Sequence, residues 1–400
     1  MSAAGDTVNH PRVLIAGASI AGPALAHWLS RRGATVTVVE RAPALRPGGQ
    51  AVDARGVAKE VIARMGLDAQ VRAACTDTAG AYVVDEAGTV LETFRAEDDD
   101  GDGFIAEIEI LRGDLSQVLY DATRDAVDYR FGDRITELTQ DANGVDVTFT
   151  SGTRERYDLV IGADGLHSSL RALVFGPHER YVRHLGHALA FYTVPNEFGL
   201  DRWLITCEAR GRTAGLRPIR DATLGMALFS FSAPEFTLDH RDIAAQKRVL
   251  RERMAGLGWL TPRILAHLDD APDFYLDQVA QVVMDRWSAG RVGLIGDAAS
   301  CSSPMSGQGT GIALVGAYVL AGELAAAHWD PDAGFAAYER LMRPFVAANQ
   351  EIAQLNARGR DAVAAGEAAP QDWDFALIER AINGIDLPDY DGVADSGPLS

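Results

Sequence analysis

The chain has 400 residues, a formal net charge of −19 and an ordinary hydrophobic content of 47%. Because nucleic-acid binding depends on neutralising phosphates with basic side chains, this charge disfavours a nucleic-acid partner. The three cysteines are scattered without a CxxC pair, and the nine histidines do not cluster at metal-ligand spacing, so no disulfide framework or metal site is expected and a reducing cytoplasm is favoured.

Residues 13–22 (VLIAGASIAG) predict a buried strand that ends in a Gly-x-Ser-x-x-Gly turn and runs into a helix. A second strand, residues 36–39, ends at Glu40. This is the βαβ unit of dinucleotide-binding folds, in which the helix N-terminus offers N–H groups to a pyrophosphate and the acidic residue accepts from ribose hydroxyls. Ser19 replaces the middle glycine, and either displaces the pyrophosphate or binds it through its hydroxyl. The candidate contacts are Gly17, Ser19, Ile20, Ala21, Gly22, Glu40 and Arg41.

Residues 158–165 (DLVIGADG) predict another buried strand, which delivers Asp164 and Gly165 to its carboxyl end. Ser168 and Arg171 follow at helical spacing. Upstream, Arg55 is expected to be a surface charge rather than a second cofactor contact.

Residues 292–297 predict a third apolar strand, which ends at Gly296-Asp297. A glycine-rich turn and an apolar helix follow, so backbone N–H groups and the positive end of a helix dipole gather there. The strongly apolar part, residues 312–322, is too short to span a bilayer, and no membrane association is expected. The candidate contacts are Asp297, Pro304, Gly307, Gln308, Gly309, Thr310 and Gly311.

In this order and spacing, the three motifs resemble those of the p-hydroxybenzoate hydroxylase-like FAD monooxygenases, the single-component flavoprotein aromatic hydroxylases. The segment from Asp164 to Arg171 is similar to that family's Asp-Gly motif, which serves both FAD and NAD(P)H. Gly296-Asp297 is similar to its flavin ribityl motif. Arg112, in the predicted helix that follows Leu111, is similar to the arginine of its Arg-x-x-Leu segment.

The resemblance covers roughly residues 11–350, and the length is most similar to the tetracycline-inactivating and small polyketide-tailoring members. Ser300 and Gly311 depart from the family, which often has histidine and asparagine at these positions. The resemblance implies that NADPH or NADH reduces FAD, that O2 adds at flavin C4a, and that the hydroperoxide hydroxylates an aromatic or polyketide-like molecule. The reductant is then expected to bind transiently at Asp164 and Arg171.

The expected fold is α/β, with a Rossmann-like FAD-binding domain, a second and mainly β-sheet substrate domain, and a C-terminal helical segment. The FAD-binding domain is assigned to residues 1–78, 102–180 and 283–330, and the substrate domain to residues 79–101 and 181–282. Residues 331–400 are expected to form C-terminal helices, interrupted at Pro344, and a tail. A monomer or a homodimer is expected.

Aromatic and methionine side chains in the predicted middle sheet are candidates for a substrate pocket: Tyr192, Met226 and Phe229. Met305 joins them because it lies beside Pro304 in the third motif. Strand alternation places Met226 and Phe229 on opposite faces of the sheet, so only one face is expected to be core.

Two other functions remain open at this stage. The same flavin fold can perform Baeyer–Villiger oxidation or epoxidation, which product analysis would distinguish. A non-catalytic prenyl or lipid carrier on this fold is the second alternative, although a carrier would have no use for the Asp164 and Asp297 motifs.

Overall fold

The structure is a computed structural model that describes residues 10–98, 101–233, 239, 242–367 and 374–391. Part of the acidic run near residue 100 and much of the expected C-terminal tail therefore lie outside the described residues. The strands are β1 (Arg12–Ala16), β2 (Thr35–Glu40), β3 (Ala51–Ala54), β4 (Gly80–Val84), β5 (Val90–Arg95), β6 (Ile108–Leu111), β7 (Asp128–Phe131), β8 (Ile135–Asp141), β9 (Gly144–Phe149), β10 (Arg154–Tyr157), β11 (Leu159–Gly162), β12 (Val182–Pro195), β13 (Trp203–Ala209), β14 (Arg212–Pro218), β15 (Leu224–Ser232), β16 (Tyr275–Val282), β17 (Ser288–Ala289) and β18 (Val292–Leu294).

The α-helices alternate with the strands in the first third of the chain and dominate its end. They are α1 (Ala21–Arg31), α2 (Val57–Arg64), α3 (Asp68–Ala73), α4 (Arg112–Asp121), α5 (Ser169–Phe175), α6 (Ile243–Met254), α7 (Thr261–Ala266), α8 (Asp297–Ser300), α9 (Gly309–Ala326), α10 (Pro331–Ala364) and α11 (Phe375–Asn383).

A six-stranded sheet in the order β17-β18-β11-β1-β2-β7 carries the three sequence motifs. Its strands are parallel except for the β17–β18 pair. Strand β11 and strand β1 after its first residue, Arg12, are apolar and buried, as expected where helices cover both faces. Since β2, β1, β11 and β18 end side by side, the residues that follow them meet at one edge. The expected Rossmann-like fold is confirmed.

Helix α9 is apolar on all sides and packs against α1, α2 and α10. By length and composition, its 18 residues would suffice to cross a membrane, but 83% of them are buried inside the protein. It is longer than the apolar stretch expected at residues 312–322. A helix that is hydrophobic all round and buried is a core helix. Here α9 packs between α1, α2 and α10, beside the sheet.

A seven-stranded sheet in the order β16-β12-β15-β14-β13-β4-β5 forms the second layer system. It is antiparallel except for the parallel β13–β4 pair. Helices α6 and α7 cover one face of it and close a separate hydrophobic core. The other face is turned toward the loop between α8 and α9.

Helix α10 runs without interruption through Pro344, contrary to the expected break. A proline removes one N–H donor from a helix, and 34 residues of otherwise continuous helix absorb that loss. The helix packs along α9 and then reaches the seven-stranded sheet, so it joins the two sheets physically.

Candidate active site

The first turn needs its glycines for steric reasons. Gly17 has φ = 112°, and its N–H donates to the Val39 carbonyl at 2.8 Å. A Cβ at Gly17 would collide with the Ala163 carbonyl, and one at Gly22 would collide with the Gly17 carbonyl. Side chains are thus excluded where α1 begins, so the first N–H groups of that helix stay open to an anion. Ile20 and Ala21, at the helix start, are buried.

Glu40 lies at the end of β2, as the sequence predicted, and its carboxylate bridges two loops. It accepts hydrogen bonds from the Ala18 N–H at 3.0 Å and the Ala42 N–H at 2.8 Å. Beyond it lies an open cavity of about 690 Å³, lined in part by the exposed residues Arg41 and Arg46. A carboxylate held at the mouth of a cationic cavity suits the ribose end of a dinucleotide.

Arg112 opens α4 and points back toward the first turn. Its guanidinium donates to Ser19 Oγ at 2.8 Å, which is its one hydrogen-bond partner among the described residues. Desolvation, with a contribution from nearby Arg46, lowers the pKa of Arg112. A desolvated cation without a bonded carboxylate is a binding group for an anion, and Ser19, rather than a glycine, orients it.

Asp164 acts within its own turn in the structure. Its carboxylate accepts from the hydroxyls of Ser168 and Ser169 and from the N–H groups of Ser169 and Leu170, at 2.5–3.0 Å. Ser168 in turn caps α5 by accepting from the Arg171 N–H. The motif is therefore a rigid capping turn that holds Gly165, with φ = 80°, at the sheet edge.

Arg171 lies in the interior rather than at the cofactor cleft. It is fully buried and donates to the carbonyls of Ala298 at 2.9 Å and Leu166 at 2.6 Å, and it contacts His178 Nδ1 at 3.1 Å. Burial lowers its pKa, while Asp164 acts in the opposite direction. A buried guanidinium with these partners cannot reach a pyrophosphate. Its contacts instead hold neighbouring segments of the protein together. This corrects the expected reductant contact at Arg171.

Asp297 is the first residue of α8, and its side chain is exposed while its neighbours Ala298 and Ala299 are buried. The surrounding protein desolvates the carboxylate and raises its pKa, and a hydrogen bond from Cys301 opposes that shift. A carboxylate can accept several hydrogen bonds, so this accessible one has acceptor positions left beyond its Cys301 contact. It fits a ligand that brings hydroxyl donors, as the ribityl chain of a flavin does.

The loop between α8 and α9 is held by its own side chains. Ser303 caps a 3-10 turn (Pro304–Ser306), and Ser306 Oγ accepts from the Gln308 N–H at 3.1 Å. Gln308, Thr310 and Gly311 are buried, whereas Pro304 and Gly307 are exposed. A Cβ at Gly309 would meet no atom within 4 Å. The start of α9 thus faces open space with its N–H groups and its positive dipole end.

Tyr192 and Phe229 do not line this cleft. They lie on the face of the seven-stranded sheet that packs against α6 and α7, and the Tyr192 hydroxyl donates to the Ile264 carbonyl at 3.0 Å. Both residues were predicted to line a substrate pocket, and the structure places them in the hydrophobic core instead. Met226 pairs with Thr193 and Arg217 on the opposite face, which is turned toward the cleft, but it is buried. Met305 is half-buried in the loop.

Sequence reasoning missed the charged groups between this face and the loop. Arg55 is 9% exposed, not a surface charge: it pairs with Asp53 at 2.7 Å and reaches the Gly307 carbonyl at 3.5 Å. Buried Glu109 pairs with Arg217 of β14. Desolvation raises the pKa of Asp53, whereas Arg217 holds that of Glu109 down against its burial. Isolated residues in separate strands give no sequence signal, because only the fold brings them together.

These features fit FAD at four independent points. The two glycines of the first turn leave room that a Cβ would fill, and Arg112 lacks an anionic partner among the described residues. Asp297 has acceptor positions left beyond its Cys301 contact, and the start of α9 faces open space. They follow the order in which a dinucleotide would cross the edge of the sheet. Among the described residues, no cluster of three metal-ligating side chains occurs.

Comparison with known proteins identifies the family of the chain. The FAD binding domain family matches residues 10–353. Protein MT1298 of Mycobacterium tuberculosis (strain CDC 1551 / Oshkosh), which is uncharacterized, is 45% identical over 381 residues, or 94% of this chain and 99% of that protein. A flavin-dependent monooxygenase of Legionella longbeachae is 38% identical over 389 residues, or 95% of this chain and 98% of that enzyme.

Two solved structures extend the comparison. Tetracycline destructase Tet(51) superposes with a TM-score of 0.84 at 37% identity, over 96% of this chain and 99% of that chain. Klebsiella pneumoniae HpxO, complexed with FAD and uric acid, has the same fold, with a TM-score of 0.71 at 24% identity over 93% and 91% of the two chains. The chain therefore belongs to the FAD binding domain family, and it is a p-hydroxybenzoate hydroxylase-like flavin-dependent monooxygenase with FAD as its cofactor.

Proposed function

We propose that the protein uses NAD(P)H and O2 to hydroxylate an aromatic or polyketide-like small molecule. Bound FAD supplies the oxygen-activating redox chemistry, and the protein supplies binding, orientation and exclusion of water. The observation that carries the proposal is that the face of the seven-stranded sheet opposite α6 and α7, here called the free face, lies across from the loop that includes Met305. Helix α10 contacts both, through Asn356 and Arg360, and the space between them is the cleft. Strand β16 of the sheet contacts α8, the helix that begins at Asp297.

Helix α10 closes the third side of that cleft. Asn356 donates to the Met305 carbonyl at 2.8 Å, and one turn later Arg360 reaches Thr213 and Ser230 on the free face of the sheet. One helix thus sets the distance between the loop and the sheet. We propose that residues 79–101 and 181–282 act as the substrate domain, since the seven-stranded sheet is built from strands within them.

Three groups of this chain are proposed to bind FAD. Glu40 accepts from the ribose, Arg112 with Ser19 neutralises the pyrophosphate, and Asp297 accepts from the ribityl chain. The N–H groups at the start of α9 stabilise negative charge on the reduced ring system. Met305, beside them, is the loop side chain proposed to touch substrate.

The lining of the cleft favours flat, polar substrates. Phe191 stacks near Tyr275, with ring centroids 6.4 Å apart, and Phe94 stacks on Phe104 at 4.5 Å. The Asp53–Arg55 pair and the Glu109–Arg217 pair supply charge along the same wall. Aromatic faces beside paired charges suit a fused ring system that carries hydroxyl or carbonyl groups. The similarity to tetracycline destructase Tet(51) supports that class of substrate.

Reductant binding is proposed at the surface of the Asp164-Gly165 turn, with NADH and NADPH both open. Gly165 has space around it, because a Cβ there would meet no atom within 4 Å. Arg171 would act beneath this turn as a brace and not as a contact. A transient reductant fits a turn that is rigid, accessible and free of bulky side chains.

The direct test begins with the purified protein, which should be yellow with about one FAD per chain. NADH and NADPH oxidation is then screened over phenols, quinones and tetracyclines, with mass spectrometry of the products. Gain of one oxygen atom without ring cleavage is expected, and NMR of the product distinguishes hydroxylation from Baeyer–Villiger insertion or epoxidation. Asp297→Ala is the matched negative control. A protein that stays colourless and takes up no added FAD would indicate a carrier and overturn the proposal.

A further inference from the structure

A chain of three hydrogen-bonded side chains leads from the surface to the cofactor cleft. His167, exposed in the turn after Gly165, lies with Nε2 2.8 Å from Asp277 Oδ2. The Tyr275 hydroxyl donates to the same carboxylate oxygen at 2.9 Å. Asp277 is 7% exposed, so its carboxylate joins an outer imidazole to an inner phenol through the protein interior.

The inner end of this chain faces the proposed FAD site. Tyr275 lies beside Phe191 of the cleft face, with ring centroids 6.4 Å apart, and its strand β16 contacts α8, the helix that begins at Asp297. Tyr275 as a whole is 46% exposed. Desolvation of its hydroxyl, together with the neighbouring Asp277 carboxylate, nevertheless raises the pKa of the phenol well above its ordinary value. Both facts place the hydroxyl in a cleft that opens to solvent but is walled by protein. The phenol therefore keeps its proton until a partner in the cleft accepts it.

The outer end is held in place by the capping turn. Asp164 fixes the turn through four hydrogen bonds, and His167 stacks on His178 with ring centroids 5.2 Å apart. Burial, with His167 and Arg171 nearby, lowers the pKa of His178 to about 4, so His178 is neutral at physiological pH and leaves His167 as the outer group of the chain.

We infer that His167, Asp277 and Tyr275 form a proton relay from solvent to the cofactor cleft. The inference rests on the proposed function, whose balanced reaction is RH + O2 + NAD(P)H + H⁺ → ROH + H2O + NAD(P)⁺. The hydride and the substrate C–H bond together supply the four electrons that reduce O2, one oxygen atom enters the product and the other leaves as water. One proton per turnover must therefore enter the cleft, from which bound FAD and substrate would displace the water that can reach Tyr275 in their absence.

The relay moves that proton without changing any residue. His167 takes a proton from water and passes it to Asp277. Tyr275 rotates its hydroxyl, releases its own proton into the cleft and receives the proton from Asp277. All three side chains return to their starting states, so His167 and Asp277 act through Tyr275, and Tyr275 alone touches the cleft.

The kinetic test compares Tyr275→Phe, Asp277→Asn and His167→Gln with the parent. We expect kcat to fall about 100-fold in the first two and about tenfold in the third, where water partly replaces the imidazole. The solvent deuterium isotope effect on kcat should rise in His167→Gln, and millimolar imidazole should restore its rate. Bound FAD and thermal stability should change little. Unchanged kcat and an unchanged isotope effect in all three variants would overturn the relay.

Two variants outside the cleft match the chemistry of the relay. Tyr390→Phe removes a phenol that donates to the carboxylate of Glu323 at 2.7 Å, and His267→Gln removes an imidazole 3.5 Å from the carboxylate of Glu197. Neither should change kcat or the isotope effect, and imidazole should have no effect on His267→Gln. Equal loss in these controls would show that the kinetic changes are general and would also overturn the relay.

A second readout needs no turnover and no bound FAD. With tyrosine labelled by ¹³C at Cζ, the Tyr275 signal is assigned by its absence in Tyr275→Phe. His167→Gln should shift this signal through Asp277, and the shift should vanish in the Asp277→Asn background. If the chemical shift of Tyr275 is the same in His167→Gln as in the parent, the two residues are not coupled and the relay is overturned. A different result would separate the two proposals. If no substrate supports NAD(P)H oxidation but the Tyr275 shift still responds to His167→Gln, the proposed function is overturned while the hydrogen-bonded chain of side chains is supported.

Discussion

The guanidinium of Arg171 donates to the carbonyl of Ala298 at 2.9 Å and so ties α5 to α8. These two helices follow the Asp164 turn and the strand that ends before Asp297, which are the second and third motifs of the sequence. The link means that the turn proposed to meet the reductant and the helix proposed to meet FAD move as one unit.

Arg171→Ala should therefore lower stability rather than selectively block the reductant. Loss of charged hydrogen bonds in a buried site costs about 3 kcal/mol, so the melting temperature and FAD retention should both fall. Stopped-flow absorbance should show that reduction by NAD(P)H and by dithionite slows equally. Arg180→Ala, at an exposed neighbouring position, is the control. A loss confined to NAD(P)H would instead support the reductant contact predicted from the sequence.

Asp297→Ala should weaken FAD binding about 10- to 100-fold while the fold stays intact, since hydrogen bonds to a carboxylate contribute about 1.5–3 kcal/mol. Fluorescence titration of the apoprotein with FAD measures this directly. Asp285→Ala, at an exposed position in the segment between β16 and β17, should bind FAD like the parent. Unchanged affinity in Asp297→Ala would show that the ribityl chain lies elsewhere.

Glu40→Ala should also weaken FAD binding, and Glu40→Arg should weaken it further, because a cation would replace the acceptor for the ribose. Glu40→Gln keeps one oxygen acceptor for the Ala18 and Ala42 N–H groups and should lose least. The three dissociation constants should rise in the order Gln, Ala, Arg. If all three variants bind FAD as tightly as the parent, Glu40 only holds the loop through the Ala18 and Ala42 N–H groups and does not contact FAD.

The two faces of the seven-stranded sheet should respond differently to truncation. Phe229→Ala removes a fully buried ring from the core under α6 and α7 and should cost about 3–5 kcal/mol of unfolding free energy. Phe191→Ala, on the cleft face, should cost much less but raise KM for substrate and release more H2O2 per NAD(P)H consumed. Urea unfolding and oxygen-electrode assays separate the two effects. The reverse pattern would place the substrate on the other face.

His27 should make stability depend on pH below neutrality. Burial, then Arg31 and Arg32, lower its pKa from 6.5 to about 4. The unfolded chain therefore binds a proton that the folded chain rejects, and stability is lost as pH falls from about 6.5 to about 4, by about 3 kcal/mol in total. His27→Leu should flatten this part of the stability curve, whereas His328→Leu should not. A parallel slope in His27→Leu would contradict the assignment.

Much of the candidate site could be located from the sequence because each part is local. Gly17, Glu40 and Asp297 stand directly after apolar strands, and strand, turn and helix are contiguous in the chain. The parallel sheet then brings these strand ends together without further information. The fold class was predictable for the same reason, since alternation of strands and helices dictates that sheet.

The remainder depended on partners that are distant in sequence. Alternation placed Met226 and Phe229 on opposite faces, but which face is core was decided by α6 and α7, which follow later in the chain. Arg55 and Arg171 are charged and were expected to be accessible, yet Asp53 and the Ala298 carbonyl satisfy them in the interior. No periodicity encodes such pairs, and the His167–Asp277 contact spans 110 residues.

The order of the six-stranded sheet has a consequence for synthesis on the ribosome. Val13 pairs with Leu159, and Val160 pairs with Val292, so β1 is made first and the strands on one side of it, β11 and β18, are made much later. Until β18 emerges, the edge of β11 that should pair with β18 stays open. Helix α9, which follows β18 in the chain, is also missing from the core until then. Non-local pairing of this kind folds slowly and leaves edges open to association. The nascent chain is therefore expected to depend on chaperones until residues 292–326 have left the exit tunnel.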